Sequence, residues 1–133
     1  MTDNLTSPFA DYVHARRVGN LLFLAGQGCR DPETNEYAGL MLDDHGHVSN
    51  YDIKAQTVGV LRNVERVLKA EGRDRSHLID VTVFLMDKKD FGAMNQVWND
   101  FFSGITPPTR TTVFVKGLPG LNFVEMKAIA SIA

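Results

Sequence analysis

The chain has 133 residues, 44% of them hydrophobic and 23% charged, with a formal net charge of −2 and a sequence pI of about 6.0. That length suits one domain, residues 1–133, able to bury a core without disulfides or metal, and the charge balance excludes the strongly basic surface that phosphate backbones demand, so no nucleic-acid partner is expected. A single cysteine, Cys29, excludes an internal disulfide, and no apolar run has the length of a membrane span or the pattern of a signal peptide; the expectation is a cytoplasmic protein with no membrane partner.

In chain order, "YVHARRVGNLLFLAGQG" (Tyr12 to Gly28) reads as two short strands about a Gly19-Asn20 turn, a pair that tolerates the positive φ of tight hairpins. Residues 30–52, "RDPETNEYAGLMLDDHGHVSNYD", carry turn signals and no sustained period, so they read as one long irregular segment of the kind that often serves function. From Asp52 the pattern changes. Ile53, Thr57, Val60, Leu61, Val64, Val67 and Leu68 recur at steps of three and four, one face of an amphipathic helix capped by Asp52 or Asn50 and ended by Gly72.

"HLIDVTVFLM" (His77 to Met86) then reads as a strand. Asp90 is a candidate cap for a second helix, with a stripe of Phe91, Met94, Val97 or Trp98, and Phe101, closed by Gly104, Pro107 and Pro108. "TRTTVFVKGLPGLNFVEMKAIASI" (Thr109 to Ile132) reads as two strands joined by "GLPGL". The resulting order β-β-α-β-α-β-β predicts an α+β sandwich, one sheet with both helices on one face.

Side chains alternate along a strand, so residues two apart share a face. If the last two strands form a hairpin, matching their apolar faces places Arg110, Thr112, Glu125 and Lys127 together on the face away from the helices, beside Phe114, Phe123 and Ile129. A face mixing clustered aromatics with charges points to an interface with a second copy of the chain, with Arg110 and Glu125 in a partly desolvated cleft. The plain alternative is a solvent-facing cross-strand ion pair, which is worth little.

"PTRTTVFV" followed by "LPGLNFVEMKAIA" resembles the C-terminal signature of the RidA/YjgF reactive-intermediate (enamine/imine) deaminases, and "YVHARRVGNLLFLAGQ" and "IDVTVFLMDKKDFGAMNQVWNDFF" are similar to the same family. The resemblance covers nearly the whole chain. It implies a chorismate-mutase-like α+β sandwich assembling as a homotrimer with sites between subunits, and a hydrolytic deaminase that uses no metal and no cofactor. "PPTRTTV" and the long segment "GLMLDDHGHVSNYDIKAQT" look most like the 2-aminomuconate deaminase branch, which acts in aromatic-ring degradation.

Carried over by position, the resemblance implies that Arg110 pairs with a substrate carboxylate, which its planar fork suits, and that Glu125 positions and activates a water. It further places Tyr12, Gly26, Asn95 and Thr112 at the substrate. Thr112 stands where many members carry cysteine, Ala25 where serine is common and Trp98 where tyrosine is common.

Other residues have plainer readings beside functional ones. Asp43, Asp44, His45 and His47 match no strong metal-ligand spacing and read as a polar loop, although Tyr37, His45 or His47 could reach the cleft and tune substrate choice. Cys29 lacks an evident base and reads as a small packed residue. His14, Arg16 and Arg17 read as edge or interface polars. The alternatives to the 2-aminomuconate activity are a general deaminase of 2-aminoacrylate-type intermediates and a non-catalytic trimer that binds a small carboxylate.

Overall fold

A computed structural model describes residues 5–133. The strands are β1 (Ala15–Val18), β2 (Leu21–Gln27), β3 (Leu40–Leu42), β4 (Val48–Tyr51), β5 (Leu78–Leu85), β6 (Thr109–Phe114) and β7 (Val124–Ser131), and the helices are α1 (Ile53–Ala70) and α2 (Phe91–Phe101). Five strands form one sheet in the order β1-β2-β7-β5-β6, while β3 and β4 form a separate hairpin. Among the described residues no helix is long and apolar enough to cross a membrane.

The expected helices and main strands are present, and local chemistry explains their limits. The Asp52 carboxylate accepts from the backbone N–H of Lys54 and Ala55 and so caps α1. Gly72, at φ +72°, follows the helix end, where most side chains would be strained. The alternating residues Leu22, Leu24, Val81, Val83, Leu85, Val124, Met126, Ala128 and Ala130 are buried against Val60, Val64, Val67 and Leu68 of α1 and Met94 and Trp98 of α2. Both helices therefore lie on one face of the sheet, as an α+β sandwich requires.

Three expectations are corrected. Residues 30–52 are not wholly irregular: Leu40–Leu42 pairs with Val48–Tyr51, and the Asp43 carboxylate holds the turn by accepting from the N–H groups of His45 and His47. Asp90 does not cap α2. Its backbone is already helical, and its buried carboxylate instead accepts the Tyr51 hydroxyl at 2.6 Å.

The third correction concerns the sheet itself. The last two strands are not a hairpin: β6 pairs parallel with β5, and β7 inserts antiparallel between β2 and β5. Register partners share a face, so the pairing reassigns the side chains. Val81 of β5 sits between Arg110 and Ala128, whereas Phe84 sits between Val113 and Glu125. Arg110, Thr112 and Phe114 thus share the helix-facing side with Val81, Val83 and Leu85. Glu125, Lys127 and Ile129 share the open side with Asp80, Thr82, Phe84 and Val113.

The open face remains a mixed one, with different members than expected. Leu21, Phe23 and Val113 are exposed there, beside the Glu125 and Lys127 charges. Phe114 turns toward Phe91 of α2, with ring centroids 6.4 Å apart. Phe123 stacks on Tyr51 at 3.8 Å.

Candidate active site

The six residues singled out from sequence fall into two groups, one on each side of the sheet. The first is centred on Arg110, near the start of the edge strand β6. Its guanidinium lies 4.9 Å from the Trp98 ring centroid and 5.6 Å from that of Phe91, and its Nη1 is 3.8 Å from the Met94 sulfur. Phe91, Met94 and Trp98 are spaced so that one stripe of α2 supplies all three contacts.

Arg110 has no salt bridge to any described carboxylate. Burial pushes its pKa down from the ordinary value, although a guanidinium stays protonated under any physiological condition. A partly buried cation supported by aromatic faces and a thioether, with no counter-ion among the described residues, has the chemistry to accept an anion.

Two polar atoms nearby strengthen that reading. Thr112 follows Arg110 on the same face of β6, and Asn95 lies on α2 beside Met94 and one turn from Phe91. Thr112 Oγ1 and Asn95 Oδ1 are both buried without a hydrogen-bond partner among the described residues. Buried polar atoms are nearly always satisfied, and one left open needs an explanation such as a ligand, a water or a partner chain.

The second group surrounds Glu125 on the other side. A pocket of about 180 Å³ is lined by Glu125, Gly26, Tyr12, His14, Gln27, Arg30 and Tyr37, among others. Gly26 lies directly under the carboxylate: a Cβ there would come within 2.8 Å of Glu125 Oε2, so the absent side chain leaves room for it. Burial raises the Glu125 pKa above the ordinary 4.5, as is usual for a carboxyl taken partly out of water. A raised value brings the group closer to the range in which a carboxylate both accepts and returns a proton near neutrality.

The pocket wall includes His14, which the sequence pattern reads only as an edge or interface polar, and Asn122, which it does not single out. His14 contacts the Thr6 carbonyl through Nε2 at 2.5 Å and accepts from Gln27 through Nδ1 at 3.0 Å, an arrangement suited to the Nε2–H tautomer. Asn122 is buried; its Oδ1 accepts from Cys29 N–H at 2.8 Å, and its Nδ2 donates to the Pro119 carbonyl. The side chain of Asn122 occupies the space where a Cβ on Gly28 would stand. Gln56, fully buried on α1, donates to the Leu121 carbonyl and accepts from Phe123 N–H, which anchors the chain just before β7. The Asn122–Cys29, Gln56–Leu121 and Gln56–Phe123 bonds span 93, 65 and 67 residues, so no local spacing reveals them.

Of the loop residues considered for the cleft, Tyr37 lines the Glu125 pocket and seats its hydroxyl against Gly120. His45 and His47 instead occupy the exposed turn of the β3–β4 hairpin and do not line it. Cys29 is buried, and burial pushes its thiol up to about 11, which suits a packed residue and not a nucleophile.

Comparison with known proteins places the whole chain. A family described as Endoribonuclease L-PSP matches residues 2–132. A RutC family protein of Pyrococcus horikoshii is 39% identical over 97% of this chain and 93% of its own. The chloroplastic Reactive Intermediate Deaminase A of Arabidopsis thaliana is 30% identical over 98% of this chain and 64% of its own. Among solved structures, the YjgF gene product of E. coli superimposes with a TM-score of 0.84 at 30% identity, covering 98% of this chain and 94% of that one. E. coli TdcF with bound serine gives the same TM-score and identity, with 98% and 95% covered.

Proposed function

Because the chain belongs to the Endoribonuclease L-PSP family, which takes in the RutC and YjgF/RidA proteins, we propose that it is a hydrolytic deaminase of enamine/imine carboxylates, with 2-aminomuconate or a close relative as substrate. The observation that carries this reading is Arg110: a partly desolvated guanidinium, held over Trp98 and Phe91, with no carboxylate partner of its own. A substrate carboxylate supplies the missing counter-ion in the bidentate geometry that a guanidinium favours.

The second half of the reading is the position of Glu125. Since it lies on the opposite side of the sheet from Arg110, one chain holds two half-sites. We place them in a single cleft by assembly: the Arg110, Thr112 and Asn95 group of one copy meets the Glu125, Gly26 and Tyr12 group of the next around a homotrimer. The unpartnered atoms on one half and the exposed apolar residues of the open sheet face both fit such an arrangement.

The chemistry follows from the groups. Arg110 anchors the carboxylate while the enamine tautomerises to the imine, whose carbon is electrophilic. Glu125, ionised, takes a proton from water as the C–O bond forms. It passes that proton to the imine nitrogen to give the carbinolamine, then takes the hydroxyl proton and delivers it to the amine as the C=O bond forms and the C–N bond breaks, so imine and water give ketone and ammonia. Thr112 and Asn95 present their open oxygens to the ligand or to its water, and Tyr12 borders the Glu125 side.

Two neighbouring readings use the same cleft. A general deaminase of 2-aminoacrylate-type intermediates is favoured by the likeness to the Arabidopsis Reactive Intermediate Deaminase A. A binding trimer without turnover is favoured by the TdcF structure, which holds serine, an amino carboxylate. An endoribonuclease, as the family description reads, is disfavoured by the acidic pI of about 6.0.

The test is ammonia release from 2-aminomuconate and 2-aminoacrylate, each generated in situ. The proposal expects turnover of the first in preference to the second. Equal turnover of both moves the protein to the general class. Turnover of neither, with serine or another small carboxylate still bound, leaves a binding protein.

A further inference from the structure

The pocket that holds Glu125 also contains a cation that the proposed chemistry does not use. Arg30, just beyond β2, lines the same pocket as Glu125, Gly26 and Tyr12. It forms no salt bridge with Glu125 or with any other described carboxylate. The neighbouring carboxylate of Asp31 is turned away, accepting from the N–H groups of Glu33 and Thr34.

Arg30 is nevertheless held in place. Its Nη2 donates to the Ser7 carbonyl at 2.6 Å and its Nη1 to Asn35 Oδ1 at 3.2 Å, and its guanidinium lies 4.5 Å from the Phe9 ring centroid. Those acceptors are neutral, so the charge is uncompensated, and a guanidinium keeps further N–H groups free beyond these two bonds. The backbone is tied as well. Asn63 of α1 donates to the carbonyls of both Gly28 and Arg30 at 2.8 Å, and Asn63 is itself oriented by Arg66 Nη1 at 2.6 Å. Arg30 also bridges to Tyr37 through the backbone, which brings the Tyr37 ring to the same pocket. A cation positioned this way, sharing a cavity with a carboxylate it does not touch, is built to receive an anion from outside the chain.

We infer that Arg30 is the receptor for a second carboxylate, and that the cleft therefore selects dicarboxylates. This rests on the proposed cleft, in which Arg110 of a neighbouring copy holds the first carboxylate next to the reacting carbon. Arg30 then takes the carboxylate at the far end of the substrate, while Tyr37 and Tyr12 border the carbon chain between. A short monocarboxylate such as 2-aminoacrylate fills only the Arg110 end.

Two stable six-carbon dienoates isolate this contact, because muconate carries a carboxylate at both ends and sorbate at one. Calorimetric titration of the full-length protein should give muconate an affinity roughly 10- to 100-fold above that of sorbate, as expected for one charge-assisted contact. Arg30→Gln should collapse that ratio to about one, and Arg30→Lys should restore part of it by returning the charge without the fork. Because the ratio is read, a general loosening of the pocket that weakens both ligands together does not imitate the effect.

Equal affinities in the wild-type protein, or a preference for muconate that survives Arg30→Gln, would overturn the inference while leaving the deaminase reading standing. If neither ligand binds, or if Arg110→Ala binds both as the wild type does, the reading of the cleft fails and the second subsite fails with it.

Discussion

Arg110→Ala should lower kcat/KM for the enamine/imine substrate by roughly two to three orders of magnitude while leaving the fold intact. The size follows from removing the charged partner of a buried carboxylate, which typically costs about 2–5 kcal/mol. The retained fold follows from what Arg110 touches. Its neighbours are ring faces and a sulfur, and it has no carboxylate partner that truncation would strand. Circular dichroism and thermal melting should therefore match the wild type, and binding of a probe such as serine should be lost along with turnover. Arg110→Lys keeps the charge but loses the bidentate fork, and should recover only a fraction of the activity. Unchanged turnover in the alanine variant would remove the arginine from the site.

Glu125→Gln should have an effect of comparable size by a different route. It removes the proton acceptor and leaves the carboxylate receptor, so turnover should fall by about 10²- to 10⁴-fold, the usual contribution of a positioned acid–base group, while ligand binding persists. The pH dependence carries the sharper signature. The ionised form is the active one, and burial raises the pKa above 4.5. As pH falls, Glu125 is protonated earlier than an ordinary carboxyl would be, and activity is lost correspondingly earlier. The acidic limb of kcat/KM against pH in the wild type should therefore lie above the ordinary carboxylate range and vanish from the residual activity of Glu125→Gln. A limb at an unshifted position, or one that survives the substitution, would assign the proton transfer elsewhere.

Much of the architecture was written in local pattern. The three-and-four spacing of α1 and the period of two in β5 and β7 follow directly from which side chains face a core, and Asp52 and Gly72 bound α1 for reasons internal to their own segment. What the pattern does not carry is the identity of a strand's neighbour. A strand with one apolar face satisfies its register against any partner that presents a matching face, so β6 and β7 read equally well as a hairpin. The structure instead runs β6 parallel to β5 and seats β7 on the other side of β5. That single change carries Arg110 from the open face to the helix side and separates it from Glu125.

The candidate site shows the same division. Arg110 and Glu125 stood out because charge is anomalous within strands. Arg30, Asn63, Asn122 and Gln56 did not stand out, because each acts through a partner distant in sequence. Arg30 begins a polar run in which an arginine is unremarkable, and Asn63 falls among the apolar positions of α1 with nothing local to mark it as a clamp. Asp90 follows a related logic: a carboxylate before a helix suggests a cap, but this one is buried and accepts the Tyr51 hydroxyl instead.

In the proposed assembly one cleft is completed by two copies of the chain, Arg110 coming from one and Glu125 from the next. Mixing the two inactive variants tests it most directly. Arg110→Ala and Glu125→Gln are co-expressed with different tags, and trimers carrying both tags are isolated and assayed for ammonia release. A site that joins the Arg110 half of one subunit to the Glu125 half of another is intact when the first is the Glu125→Gln chain and the second the Arg110→Ala chain. Each mixed trimer then holds one intact site in three, so the isolated mixed trimers should show about a third of the wild-type activity. Activity in the mixed trimers that stays at the level of the separate variants would contradict the account.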